Sequence, residues 1–308
     1  MPAQRRVKKV LRLQKARPKF KVLIYLIILI GLTFGTIIFF NRAFWNGKDK
    51  LTIVSRDLED NVVITTYDPQ VGEIISITVP SQTEVEVAKN FGVWKIGSVW
   101  QLGYQEKEKG ALLAKTVTRH LKFPSFVWAD RQSLGFNSSG ISGLFKATFS
   151  KYDSNLKLGD KIGLALFSLG VENSKRADLK LEETGYLKKT TLSDGSKGYR
   201  VEGSIPQRIA ILFTNTKMSN GTYRIVIKDR TGRPGLTEEL NLVLEVLGGK
   251  VLSITREDEA DFNCEIRSDD KEVGDLIRNL FNCRVAPVDP GGNFDMEIVL
   301  GKKFADEF

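Results

Sequence analysis

Few residues in this chain are of a type that does chemistry. It has two cysteines, Cys264 and Cys283, and one histidine, His120. Metal centres built from Cys and His clusters need more ligands than that inventory supplies. A Ser-His-Asp triad is excluded as well, unless His120 serves in it. Placed after Thr118 and Arg119 at the end of the helical run 110–121, His120 reads as a surface histidine favoured by the helix macrodipole. Phosphate chemistry would need clustered arginines beside a carboxylate. The chain offers Arg56 with Asp57, which read as a solvated loop, and Gly159-Asp160 before Lys161, which spells a turn. Trp94, Trp100 and Trp128 with Phe91 and Tyr104 could line a groove for lipid or glycan, and core packing accounts for them equally well. Cys264 and Cys283 either close a loop of about 20 residues, stabilising by roughly 3 kcal/mol in the chain-entropy model, or stay as two partly buried thiols.

What must hold such residues in place begins with residues 22–40, VLIYLIILIGLTFGTIIFF, which carry no charge. As a helix this run is about 28 Å long, enough for a bilayer core of about 30 Å. Nine Lys and Arg and no acid precede it, from Arg5 to Lys21, and Phe44-Trp45 follow as an aromatic pair suited to the far interface. A signal peptide would have a shorter apolar core and a small-residue cleavage site. The positive-inside rule therefore predicts an uncleaved single-pass anchor, tail in the cytoplasm and residues 46–308 outside. The chain of 308 residues has a net charge of +9, which is the tail's contribution. The exported part is near neutral, which removes the case for nucleic acid. The tail suits the anionic inner leaflet, with a cytoplasmic partner as the alternative.

Beyond the anchor and a linker at 41–50, Ile, Val and Thr mark strands at 51–54, 61–67 and 73–79, with turn residues between. A helix follows at 110–120, a short strand at 125–128, and amphipathic helices at 141–152 and 161–171. Residues 209–213 read as a buried strand and 214–222 as a linker. From 223 the pattern is strand 223–227, helix 236–247 closed by Gly248-Gly249, strands 250–255 and 264–267, helix 272–281 and strand 296–300. The sum is a mixed α/β (α+β) chain: a domain over 51–214 and a small βαββαβ unit over 222–305.

That last unit resembles the LytR C-terminal domain. The family's strand, turn, Pro-Gly-Leu helix start and Gly-x-x-Val stand here as RIVIKDRTGRPGLTEELNLVLEVLGGKVLSI (224–254), and its closing strand as DMEIVLGKKF (295–304). Asp229-Arg230 replaces the Asn-Gly usual in the family turn. The middle region is similar to the LytR/CpsA/Psr catalytic domain: NVVITTYDPQVGEIISITVPSQTEVEV (61–87) resembles its paired early strands, and the helix 110–121 with KFPSFVWAD (122–130) its next helix and strand. The resemblance implies a bacterial cell-envelope protein. Active members pass a lipid-linked glycopolymer to peptidoglycan, holding its pyrophosphate with arginines and binding Mg²⁺ through Asp. The Arg-Asp that this pattern places after Pro80 is Ser81-Gln82 here, and an uncharged pair cannot replace a bidentate clamp.

The expected function is therefore a non-catalytic binding or scaffolding protein, needing no cofactor, whose partners are the membrane and a cell-wall polymer, polyprenyl lipid or envelope protein. Two alternatives stand: an active phosphotransferase using Mg²⁺, with at least two Arg and a carboxylate converging within about 4–6 Å, and a signalling protein acting through its basic tail. Thr231, Arg233 and Lys302 on the C-terminal unit, with Trp94 and Trp100, are the candidate binding residues.

Overall fold

The computed structural model describes residues 18–40, 44–220 and 223–308, with side chains of the first helix given at 22–33 and 35–36. The basic tail up to residue 17 lies outside the described residues, as does part of the linker expected at 214–222. Helix α1 (Pro18–Phe40) starts on a proline, whose missing N–H costs nothing in a first turn. Among the described residues no helix is long and apolar enough to cross a membrane. The described side chains of α1 run unbroken only over 22–33, so the span expected at 22–40 falls partly outside them.

Strands β1 (Leu51–Arg56), β2 (Val62–Asp68) and β3 (Glu73–Val79) form an antiparallel meander, Val54 opposite Ile64 and Ile64 opposite Ile77. Their side chains alternate between two faces. Val54, Ile64 and Ile77 enter one core, with β4 (Thr83–Val87), α2 (Ile96–Gln105) and α3 (Gly110–His120). Ile53, Tyr67 and Ile74 enter a second. The hairpin of β4 with β5 (Gly92–Lys95) continues outside this sheet. Strand β6 (Val127–Trp128) adds in parallel beside β1, and α4 (Ile141–Phe149) and α5 (Leu158–Gly170) cover the second core. Strand β7 (Arg176–Lys180) closes the sheet beside β3, giving the order β6-β1-β2-β3-β7. Strands β8 (Leu187–Thr191) and β9 (Lys197–Val201) join the hairpin in a second sheet ordered β5-β4-β9-β8.

The apolar run at 209–213 is not the strand its composition suggests. It is helix α6 (Gln207–Phe213), begun at Pro206, with Ile209 and Phe213 buried four residues apart and Ile211 exposed. A run this short fits either period, and the proline decides. Asn215 caps one further helical turn, α7 (Thr216–Ser219), by accepting from the N–H groups of Lys217 and Met218.

The C-terminal unit runs β10 (Arg224–Asp229), α8 (Leu236–Val246), β11 (Lys250–Arg256), β12 (Cys264–Ser268), α9 (Lys271–Phe281), β13 (Arg284–Val285), β14 (Met296–Leu300) and α10 (Lys302–Glu307). Its sheet order is β11-β10-β14-β12-β13. The short β13 and the closing α10 extend the expected βαββαβ pattern. Helix α8 stops where Gly248 takes a φ of 94° and Ser219 crowds the place a Cβ would occupy, so glycine is required there. Both α8 and α9 bury their apolar stripes in one core with Ile225, Ile227 and Ile298. On the opposite face Glu297 pairs with Lys228 at 3.1 Å and Arg267 at 2.9 Å.

Of the two states the sequence leaves open for the cysteines, the structure has the bridge, joining the start of β12 to the residue after the α9 cap, with Cα atoms 4.7 Å apart. Alkylation without reductant is expected to label neither cysteine, and with reductant both. Replacing both by serine is expected to lower unfolding stability by about 3 kcal/mol in a denaturant titration.

Candidate functional site

Parallel strands β1 and β6 end side by side, and carboxyl ends of parallel strands are where α/β sheets commonly take ligands. A polar cluster sits there. Arg56, the last residue of β1, donates from Nε to Asp130 Oδ1 at 3.1 Å and from Nη1 to Asp60 Oδ1 at 3.2 Å. Its guanidinium lies 5.2 Å from the ring centroid of Trp100. Asp130 Oδ1 also accepts the Arg131 backbone N–H at 2.8 Å and has Arg131 Nε 3.9 Å away. Beside it the Tyr104 hydroxyl donates to Asp153, which also faces Lys109 Nζ at 3.9 Å. Burial first, and then that hydrogen bond, push the Tyr104 phenol up to about 12.

In this cluster every cation meets a carboxylate. A phosphate clamp needs guanidinium donors that are free to reach the ligand. Asp57 is turned inward on its own loop, accepting the N–H groups of Glu59 and Asn61 at 2.8 and 2.9 Å. Asn61 accepts the Ser81 N–H at 2.9 Å, and Ser81 O accepts from Gly97 at 3.1 Å. A Cβ on Gly97 would stand 2.7 Å from that of Ser81, so the segment after Pro80 is tightly held against α2. Among the described residues no three His, Cys, Asp or Glu side chains are grouped to hold a metal ion.

The other sequence candidates are scattered. Trp100 is 2% exposed and meets Trp128 edge-on, so it belongs to the core rather than to a groove. Trp94 is 41% exposed and donates to Phe91 O, on a separate shallow cleft with Glu84, Lys95 and Asp194. Thr231 is not the surface position expected: it is buried, bonding through both N and Oγ1 to Asp229 Oδ1. Arg233 is half-buried and ties the two units together, donating to Asn90 Oδ1 at 2.9 Å and Ala305 O at 2.8 Å. Lys302 is exposed and pairs with Glu259 at 2.5 Å. Arg56 is likewise no solvated loop residue, and Asp160 is a buried member of the first turn of α5.

A feature the sequence did not signal is a cleft of about 660 Å³ between the two units. Phe44, Trp45, Leu51, Phe126, Val273 and Leu276 give it an apolar floor, and Lys48, Lys217, Glu272 and Arg278 a rim of mixed charge. Its walls come from the linker after α1 and from α9, some 230 residues apart in sequence on the numbering of these residues, and no local motif announces such a site.

No family model matches the chain, and no curated protein matches it. Solved structures similar to it include TagT of Bacillus subtilis, 14% identical, covering 52% of this chain and 88% of that one at a TM-score of 0.37. TagV of Bacillus subtilis is 12% identical, covering 67% of this chain and 100% of that one at 0.39. The LytR-CPS2A-psr family protein YwtF (TagT) with bound octaprenyl pyrophosphate lipid is 14% identical, covering 52% and 87% at 0.37. At these values the likeness carries no argument about what this chain binds.

His120 departs from its expected role. It is half-buried and accepts the Glu86 N–H through Nδ1 at 3.2 Å, which requires the neutral ring. Burial pushes its pKa down to about 4; Lys122 and Arg119 act in the same direction and Glu239 against it. The unfolded chain takes up this proton near pH 6.5 and the folded chain only near 4, so the contribution to stability is full above pH 6.5 and is lost as pH falls to 4. Denaturant titrations across that window are expected to show a loss on the order of 3 kcal/mol that His120→Gln removes.

Proposed function

We propose that this chain is a membrane-anchored, extracytoplasmic cell-envelope protein that binds or scaffolds and does not catalyse phosphoryl transfer. The charge pairing at the ends of β1 and β6 carries this reading. Arg56, Arg131 and Lys109 each face a carboxylate within 4.0 Å, so a pyrophosphate entering there would have to separate existing pairs. The uncharged run at 22–40 and the cationic tail before it support the anchor and its orientation. The partner is a cell-wall polymer, a polyprenyl lipid or an envelope protein, and the cleft between the two units is the surface available to it. The function needs no cofactor and does not involve nucleic acid.

One observation favours the second reading, an Mg²⁺-dependent transferase: Arg56 and Arg131 both approach Asp130 Oδ1, at 3.1 and 3.9 Å, which is the convergence that reading requires. The two are separated by titrating the full-length chain in detergent with a polyprenyl pyrophosphate, with and without Mg²⁺. Binding that Mg²⁺ leaves unchanged, or no binding, fits the non-catalytic protein. Binding that appears only with Mg²⁺ and drops at least tenfold in Arg56→Gln, the loss of about 1.4 kcal/mol, would establish the transferase instead.

A further inference from the structure

Helices α4 and α5 lie side by side and bury Leu144, Ala147 and Leu164 in the same core against the sheet. Their outer faces therefore point the same way, and both are apolar. On α4 Ile141, Phe145 and Phe149 follow at four-residue spacing; on α5 Leu166 and Leu169 are exposed three residues apart, with Leu158 at the start of the helix. Phe145 and Leu166 are each 64% exposed, and the Phe145 and Phe149 rings pack on one another at 5.0 Å. Water gains nothing from such a stripe. Lys146, Lys151 and Lys157 flank it, all exposed and without an ion pair among the described residues.

The tether says what covers this face. Phe44 and Trp45 both donate their backbone N–H groups to Asp160 Oδ1 at 3.2 Å, in the first turn of α5. Four Cα steps separate Phe40, the last residue of α1, from Phe44, so the end of α1 stands within about 15 Å of that point whatever path the chain takes. Leu158 is two residues from Asp160 and Leu166 six, which is about 3 and 9 Å along the helix. If α1 spans a bilayer, α5 is held against that bilayer's surface.

We propose that the outer face of α4 and α5 is seated in the outer leaflet of the membrane that holds α1, with the apolar stripe in the acyl boundary and the flanking lysines at anionic headgroups. Apolar rows edged by cations suit such an interface. The proposal rests on the reading of α1 as an anchor. It fixes the body of the protein relative to the membrane and turns the opposite side of the sheet outward.

The test uses the full-length chain reconstituted in vesicles of phosphatidylglycerol and phosphatidylcholine. An environment-sensitive dye is attached at Phe145→Cys, Leu166→Cys, Thr33→Cys on α1, or Lys188→Cys on β8, and quenched by lipids spin-labelled near the headgroup or on the acyl chain. The bridged native cysteines do not take the label without reductant. Several-fold quenching at 145 and 166 by shallow spin labels, with none at 188, is the expected result. Quenching at 33 with none at 145 and 166 overturns the seating and leaves the anchor intact. Absence of quenching at 33 removes the anchor and the seating together. Dyes at 145 and 166 shielded from both lipid labels and aqueous iodide would mean a second copy or α1 itself covers the face, and would also overturn the proposal.

Discussion

Among the described residues the Asp160 carboxyl, with no exposed surface, accepts three backbone N–H groups: Phe44 and Trp45 from the linker through one oxygen, and Lys157 through the other. The same side chain thus completes the first turn of α5 and captures the chain as it leaves α1. Trp45 is then buried edge-on against Phe167 at 5.6 Å, over Gly163. Leaving buried N–H groups without an acceptor costs about 1–3 kcal/mol each, so this carboxyl dominates the linker's placement. Every statement about how the folded body stands relative to α1 depends on it. A longer, unpinned linker of the same composition would carry the same domains with no fixed orientation.

The two folded units are held together by charge as much as by apolar contact. Arg119 on α3 is almost fully buried, yet reaches Glu239 of the C-terminal unit at 3.0 Å and Glu86 at 3.3 Å, with Phe308 against its face. Glu307 in α10 takes Lys89 at 3.1 Å and Lys115 at 2.6 Å. Such pairs contribute little when solvated, but here they ring the buried Phe304 and Phe308, so they select one docking geometry rather than adding much affinity. Arg233, a residue the sequence suggests for ligand binding, belongs to this set.

How far the sequence could be read follows from how local each feature is. The meander β1 to β3 was legible because Ile, Val and Thr alternate with turn residues between them, and the register then follows from which face is buried. The C-terminal unit was legible because its helices carry clean apolar stripes, α8 followed by Gly248-Gly249 and α9 begun at the Asp270 cap. Strands β7 and β8 were not, since RADLK and LKKTT are polar, short and largely exposed. Helix α2 was missed because IGSVWQLGYQ holds two glycines, one of them needed for contact with the turn at Ser81. The polar cluster was illegible for a different reason: Arg56, Asp60, Tyr104, Asp130, Arg131 and Asp153 meet only after β6 has paired with β1.

The segment after Pro80 meets its neighbours through its backbone rather than through charge. The side chains that follow, Ser81 and Gln82, carry no charge. With Ser81 and Gln82 there, the backbone of this segment is used for packing instead, Ser81 against Asn61 and Gly97, and Gln82 O against Tyr199 N. Arg56 and Arg131 face a carboxylate, and the Trp100 ring, itself against Trp128, lies beneath Arg56. The strand ends keep their polar character and their geometry, while the donors that a phosphate would need are already held by the protein itself. The surfaces the fold leaves unfilled are the cleft under α9 and the apolar face of α4 and α5. Both lie beside the linker that Asp160 fixes, close to where α1 ends.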